Sequence, residues 1–125
     1  QIKILLPQGG GSIVNVASMA GKRGVPMGAP YSAAKHGVLG LTKTAALEYG
    51  GQNIRVNAVC PTFLETDIIK TVPDNVLDFF TNFRVPLKRL GKAEDAAEAI
   101  LWLLSEKANY INGHSLVIDG GMHVG

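Results

Sequence analysis

Cysteine is nearly missing from this chain: Cys60 is the only one among 125 residues, which excludes a disulfide framework. With three scattered histidines, His36, His114 and His123, it makes no metal-ligand spacing, so no metal site is expected. Aromatic residues contribute 6% and charged residues only 18%, while the apolar set reaches 46%, a balance that argues for a packed core and against disorder. Charge of one sign is also scarce. A net charge of +2, from 12 basic residues scattered along the chain, is too little for phosphate neutralisation, so no nucleic-acid partner is expected. No apolar run approaches the ~18–20 residues of a membrane span and no signal-peptide pattern is present, so the expectation is a cytoplasmic protein with no membrane partner.

What is there is ordered. The length suits one domain, 1–125. IKILL reads as the tail of an element already under way. Gln1 does not read as a natural start, whereas Gly125, just past residues 119–121, reads as a natural end. SIVNVAS (12–18) is β-branched and apolar on both faces, as in a buried parallel strand. Glycines and prolines from Gly21 to Pro30 punctuate a loop. Tyr31, Ala34, Val38, Leu41 and Ala45 then recur at helical spacing until Gly50 and Gly51. NIRVNAVC (53–60) is a second strand closed by Pro61. Residues 62–86 are irregular, apart from a short amphipathic helix suggested by Val76, Phe79, Phe80 and Phe83. A further helix opens at Glu94 and Asp95, has Lys107 near its C-terminal end, and is expected to bury Trp102 and its leucine neighbours. SLVID (115–119) is the last strand. Strand, helix, strand, helices, strand is the alternation of an α/β fold with a parallel sheet.

Tyr31 and Lys35 lie four residues apart on one helical face. A free phenol titrates near ~10, and an ammonium beside it favours the phenolate, so the pair suits acid/base work near neutrality. Ser18 closes the first strand, where open parallel sheets place groups that contact ligands, and its hydroxyl can donate to a substrate oxygen while the phenol handles the proton.

NVAS, YSAAK, IRVNAVCP followed by Thr66, and a terminal VIDGG together resemble the short-chain dehydrogenase/reductase family, in particular its compact single-domain members such as 3-oxoacyl-carrier-protein reductases. The resemblance implies a doubly wound Rossmann-type sheet of which this chain carries the C-terminal part, the last three strands with their crossover helices, and lacks the N-terminal dinucleotide half. It implies an NAD or NADP cofactor and a small ketone or secondary alcohol as substrate. Ser18 would orient the substrate oxygen, Tyr31 would transfer the proton, and Lys35 would lower the tyrosine pKa and hold the nicotinamide ribose. Pro61, Leu64 and Thr66 would carry the nicotinamide end. It also implies a homo-oligomer through the helix bearing Tyr31, with Val38, Leu41, Ala45 and Leu47 as contacts.

The departures are specific. Thr62 stands where the family usually has glycine, no G-x-G-x-x-G occurs, and the family's Asn-Ala-Gly segment and helix asparagine are missing. Without the preceding half, SIVNVAS would form a sheet edge exposing Ile13, Val14 and Val16. Residues 66–83 read as a lid over the substrate. His36 reads as a surface residue, Cys60 as a small buried hydrophobe with no nucleophile elbow beside it, and Arg84, Lys88, Arg89 and Lys92 as a solvated connection. The competing expectation is a catalytically silent fragment or oligomerisation module.

Overall fold

The β-branched runs do become parallel strands. In the computed structural model, which describes residues 1–124 apart from the Ile68 side chain, they are β1 (Gly11–Val16), β2 (Ile54–Pro61) and β3 (Ser115–Ile118), in the order β1-β2-β3. Gly125, expected as a natural end, lies outside the described residues. Register runs from Gly11 opposite Ile54 to Val16 opposite Val59, and from Ala58 opposite Ser115 to Pro61 opposite Ile118. The IKILL segment is a short helix, α1 (Ile2–Leu5). Helix α2 (Ala29–Tyr49) crosses from β1 to β2; α3 (Asp74–Phe79), continued by a π-turn over Phe80–Arg84, and α4 (Ala93–Leu104) cross from β2 to β3.

The two-residue period of β2 divides the molecule. Ile54, Val56, Ala58 and Cys60 face α2, where they meet Leu39, Ala46, Ala17 and Met19. Arg55 faces the other way and caps α4, donating to the carbonyls of Leu103 at 2.8 Å and Ser105 at 3.1 Å. These are end-of-helix carbonyls with no intrahelical donor, and a cation beside them also opposes the helix dipole. Lys107 does not play this part: α4 stops at Leu104, and Lys107 falls in the following turn, Glu106–Ala108.

Three expectations shift. Helix α2 begins at Ala29, two residues before Tyr31, because Pro30 fits a first turn, where its missing N–H is not needed. Its buried stripe is Leu39, Thr42 and Ala46, flanked by half-buried Val38 and Ala45, while Leu41 is 70% exposed. Thr42 is tolerated there because its hydroxyl donates to the Val38 carbonyl at 2.8 Å and accepts from Asn15 Nδ2 at 3.0 Å. On α4 only Leu103 is fully buried among the apolar run; Trp102 is 41% exposed, since the helix packs on the sheet along one stripe.

At the sheet margin, among the described residues β1 pairs only with β2. Val16 is 55% exposed, as expected of an edge, but Ile13 and Val14 are half-buried. Beyond the start of β3, side chains continue the ladder. Asn112 Oδ1 accepts from the Val56 N–H at 2.8 Å, and fully buried Asn57 accepts from the His114 N–H at 2.9 Å while donating to the Ile111 carbonyl at 2.8 Å.

Candidate functional site at the carboxyl ends of the strands

Chain direction is what gathers the candidate residues. All three strands run the same way, so β1 and β2 end side by side, and whatever follows them shares one rim. Strand β1 stops at Val16, not at Ser18: the Ala17 N–H still donates to the Val59 carbonyl, and Ser18 caps a tight turn, Met19–Gly21, its Oγ accepting from the Ala20 N–H at 3.1 Å. Gly21 lets that turn tuck under α2, for a Cβ there would stand 2.7 Å from the Lys35 carbonyl oxygen.

The first two turns of α2 carry Tyr31 and Lys35. The Lys35 ammonium lies 5.7 Å from the centre of the Tyr31 ring, within cation–π range, and donates to the Val16 carbonyl at 3.0 Å. That bond fixes the ammonium against the end of β1. Tyr31 is 52% exposed, with its phenol accessible.

After Pro61 the chain doubles back. Leu64 forms a parallel bridge with Gly91, with the Glu65 N–H donating to the Gly91 carbonyl at 2.8 Å and the Gly91 N–H to the Phe63 carbonyl at 3.1 Å. A Cβ on Gly91 would approach Leu64 Cδ2 to 2.6 Å, so any larger residue there would have to move the Leu64 side chain. Thr66 follows, its N–H bonded to the Leu64 carbonyl.

Ser18, Tyr31, Lys35, Pro61, Leu64 and Thr66, the six residues singled out in the sequence, all line one cavity of about 310 Å³. Thr62 is in its wall as well, together with Val16, Phe63, Ile69 and Val72. Among the described residues, Lys35 is the only charged one lining it. Phe63, Ile69 and Val72 were not legible as site residues, because segment 62–86 carries no periodicity to give them a face. Gly21 read only as loop punctuation, because its tight packing partner is on the next element.

Beyond the cavity, Phe80 packs against Phe63 with ring centres 4.9 Å apart, tying the segment after α3 to the cavity wall, and Phe79 stacks on Phe83 at 5.6 Å. The basic cluster is exposed, as expected of a solvated connection, and one member of it is paired. Arg89 grips Asp95 with both terminal nitrogens, at 2.6 and 3.2 Å, and Asp95 also accepts from the Lys92 N–H at 2.8 Å. The guanidinium bond first, and the N–H second, lower the Asp95 carboxyl to about 2. Cys60 is buried, as expected of a small hydrophobe, and that burial pushes its thiol pKa up, which disfavours the nucleophilic thiolate. His36 is exposed and bonds through Nδ1 to the Ser32 carbonyl at 2.9 Å. Among the described residues no group of three His, Cys, Asp or Glu could hold a metal, and no helix is long and apolar enough to cross a membrane.

Known proteins resemble this chain in sequence and fold. A family profile described as enoyl-(acyl carrier protein) reductase matches residues 1–123. The 3-oxoacyl-[acyl-carrier-protein] reductase of Thermotoga maritima is 44% identical over 121 residues, 97% of this chain and 49% of that protein. A solved 4-hydroxyisoleucine dehydrogenase complexed with NADH superposes with a TM-score of 0.81 at 38% identity, covering 91% of this chain and 47% of that one. A gluconate 5-dehydrogenase from Burkholderia cenocepacia, in complex with NADP and tartrate, gives 0.92 at 28% identity, covering 99% and 49%. The chain thus spans about half the length of the curated relatives it matches.

Proposed function

This chain belongs to the short-chain dehydrogenase/reductase family, with the Rossmann-type α/β sheet of that family, and on that premise we propose that the protein is an NAD(P)-dependent oxidoreductase acting on a ketone or secondary alcohol. The observation that carries the reading is the convergence of Ser18, Tyr31 and Lys35 with Pro61, Leu64 and Thr66 on one cavity at the strand ends. At about 310 Å³ the cavity is near the lower end of the ~300–1,000 Å³ typical of small-molecule clefts, room for a nicotinamide ring beside a substrate carbonyl. Its polar groups suit that group: an ammonium, three hydroxyls and a phenol between apolar walls. When bound, the nicotinamide supplies or takes the hydride.

The chain's own residues do the rest. Because Ser18 Oγ already accepts from the Ala20 N–H, its own hydrogen is left to donate to a substrate oxygen. Tyr31 gives its proton to that oxygen as the carbonyl becomes an alcohol, and takes it back in the reverse direction. Of the three donors on Lys35, one is spent on the Val16 carbonyl, leaving two for the ribose hydroxyls and the phenol. The two solved structures described carry NADP and NADH, and the proposal covers either. Self-association through α2 is part of the proposal, supported by Leu41 and by Leu47, which is 86% exposed. Val38 and Ala45, also expected as contacts, instead pack inward.

The test is a cofactor-oxidation assay on the full-length protein with a panel of ketones. Tyr31→Phe should lower turnover about 10²-fold while leaving cofactor affinity near normal, because only the proton path is lost. Lys35→Ala should weaken cofactor binding as well. Near-normal turnover in the first variant, or unchanged cofactor affinity in the second, would remove those roles.

A further inference from the structure

A second cleft, of about 430 Å³, opens on α2 away from the first and shares no lining residue with it. Three elements build it. The turn after β1 supplies Lys22; α2 supplies His36 and Lys43, seven residues apart on one stripe with Leu39 between them; and the start of β3 supplies His114 and Ser115. Two lysines and two histidines are among its lining residues, and among the described residues no carboxylate lines it. Like charges brought together in this way raise one another's electrostatic cost unless an anion lies among them.

Ser115 makes the independent point. It is only 9% exposed, and its Oγ is buried with no hydrogen-bond partner. Side chains alternate along a strand, and Val117, two residues on, packs against the cluster containing Leu39, so Ser115 faces α2 and forms the floor of the cleft. A buried hydroxyl without a partner is unfavourable unless something outside the chain bonds to it. Lys22 is held over this floor, its ammonium donating to the Ser115 carbonyl at 3.2 Å with two further N–H groups left over. In the neutral ring His36 donates its Nδ1–H to the Ser32 carbonyl, so its Nε2 can only accept, as from the P–O–H of a monoprotonated phosphoryl group.

From this geometry we propose that the cleft binds a phosphoryl group, as free phosphate or as the end of a phosphomonoester. Two lysines acting as point charges match a dianion, and donors approaching from three elements suit a tetrahedral oxyanion better than a planar carboxylate.

Isothermal titration of the full-length protein with inorganic phosphate, methyl phosphate, acetate and sodium chloride at matched ionic strength and fixed pH tests this. One saturable site for phosphate, absent for chloride and acetate, is expected. Lys22→Gln combined with Lys43→Gln should weaken it tenfold or more. Ser115→Ala should weaken it several-fold with no loss of melting temperature in phosphate-free buffer, since its hydroxyl bonds nothing within the chain. Methyl phosphate binding as tightly as phosphate identifies a monoester as the ligand, and its exclusion identifies the free ion; either supports a phosphoryl site. Phosphate heats equal to those of chloride, or an affinity untouched by both sets of substitutions, overturn the proposal. So does a double lysine variant that loses NAD(P)H affinity and keeps phosphate affinity, because the lysines would then serve the dinucleotide.

Discussion

Asn57 shows how much one side chain can hold. It is fully buried in the middle of β2, and its amide joins the loop before β3 to the sheet through the Ile111 carbonyl and the His114 N–H. Asn57→Ala would leave both backbone groups without partners, at a cost of about 2–4 kcal/mol. Urea denaturation should show a lower midpoint at an unchanged slope; a midpoint within error of wild type would mean that water replaces the amide. In the sequence Asn57 is one polar residue inside IRVNAVC and signals nothing, because its partners are more than fifty residues away. Tyr31 and Lys35 were legible for the opposite reason: their spacing along a helix is itself the geometry that brings them together.

Among the elements, the entry to α4 is the one most sensitive to acid. Asp95 is held at about 2 by Arg89 and by the Lys92 N–H, below the ~3.9 of an unperturbed Asp. A carboxylate lowered in the folded state contributes stability that is complete above its unfolded value and is lost as pH falls through its folded one. The difference in melting temperature between wild type and Asp95→Asn should therefore be constant above about pH 5, shrink below about pH 4, and be small by about pH 2. A difference undiminished at pH 2 would show that the carboxylate charge is not what stabilises the helix start. The segment from Thr66 through the π-turn is the other element with a consequence. Phe80 anchors it to Phe63, whereas Phe79 and Phe83 are exposed. As a lid, it should answer Phe79→Ala with a change in substrate preference larger than the change in stability, read by kcat/KM across the ketone panel beside a melting curve. A loss of stability with preference unchanged would make the aromatic cluster structural.

For the whole molecule, the exposed margin decides behaviour. Among the described residues β1 has no partner on its outer side, Val16 is exposed there, and Leu41 and Leu47 project from α2. Unpaired strand edges and apolar patches recruit partners. The 125-residue polypeptide on its own should accordingly run larger than a monomer in light scattering, and an Asp at Val16 should shift it toward monomer. A monodisperse monomer of the unmodified polypeptide would show that these surfaces are benign.

The order of elements, their parallel arrangement and the Tyr31–Lys35 pair were written in local pattern. β-branched runs and helical spacing act over a few residues, and joint motifs such as YSAAK mark a family wherever they stand. What only the tertiary structure decided depends on partners far apart in the chain. Arg55 instead of Lys107 caps α4, because strand alternation turns it toward carbonyls about fifty residues away. Thr42 joins the buried stripe of α2 because Asn15 across the sheet accommodates its hydroxyl, and Trp102 stays half out because α4 has only one face against the strands. Ser115 reads as an ordinary strand residue until its hydroxyl is seen to be buried without a partner. Local sequence sets the pattern, but burial and hydrogen-bond satisfaction belong to the packed whole, since each depends on which distant groups arrive beside a residue.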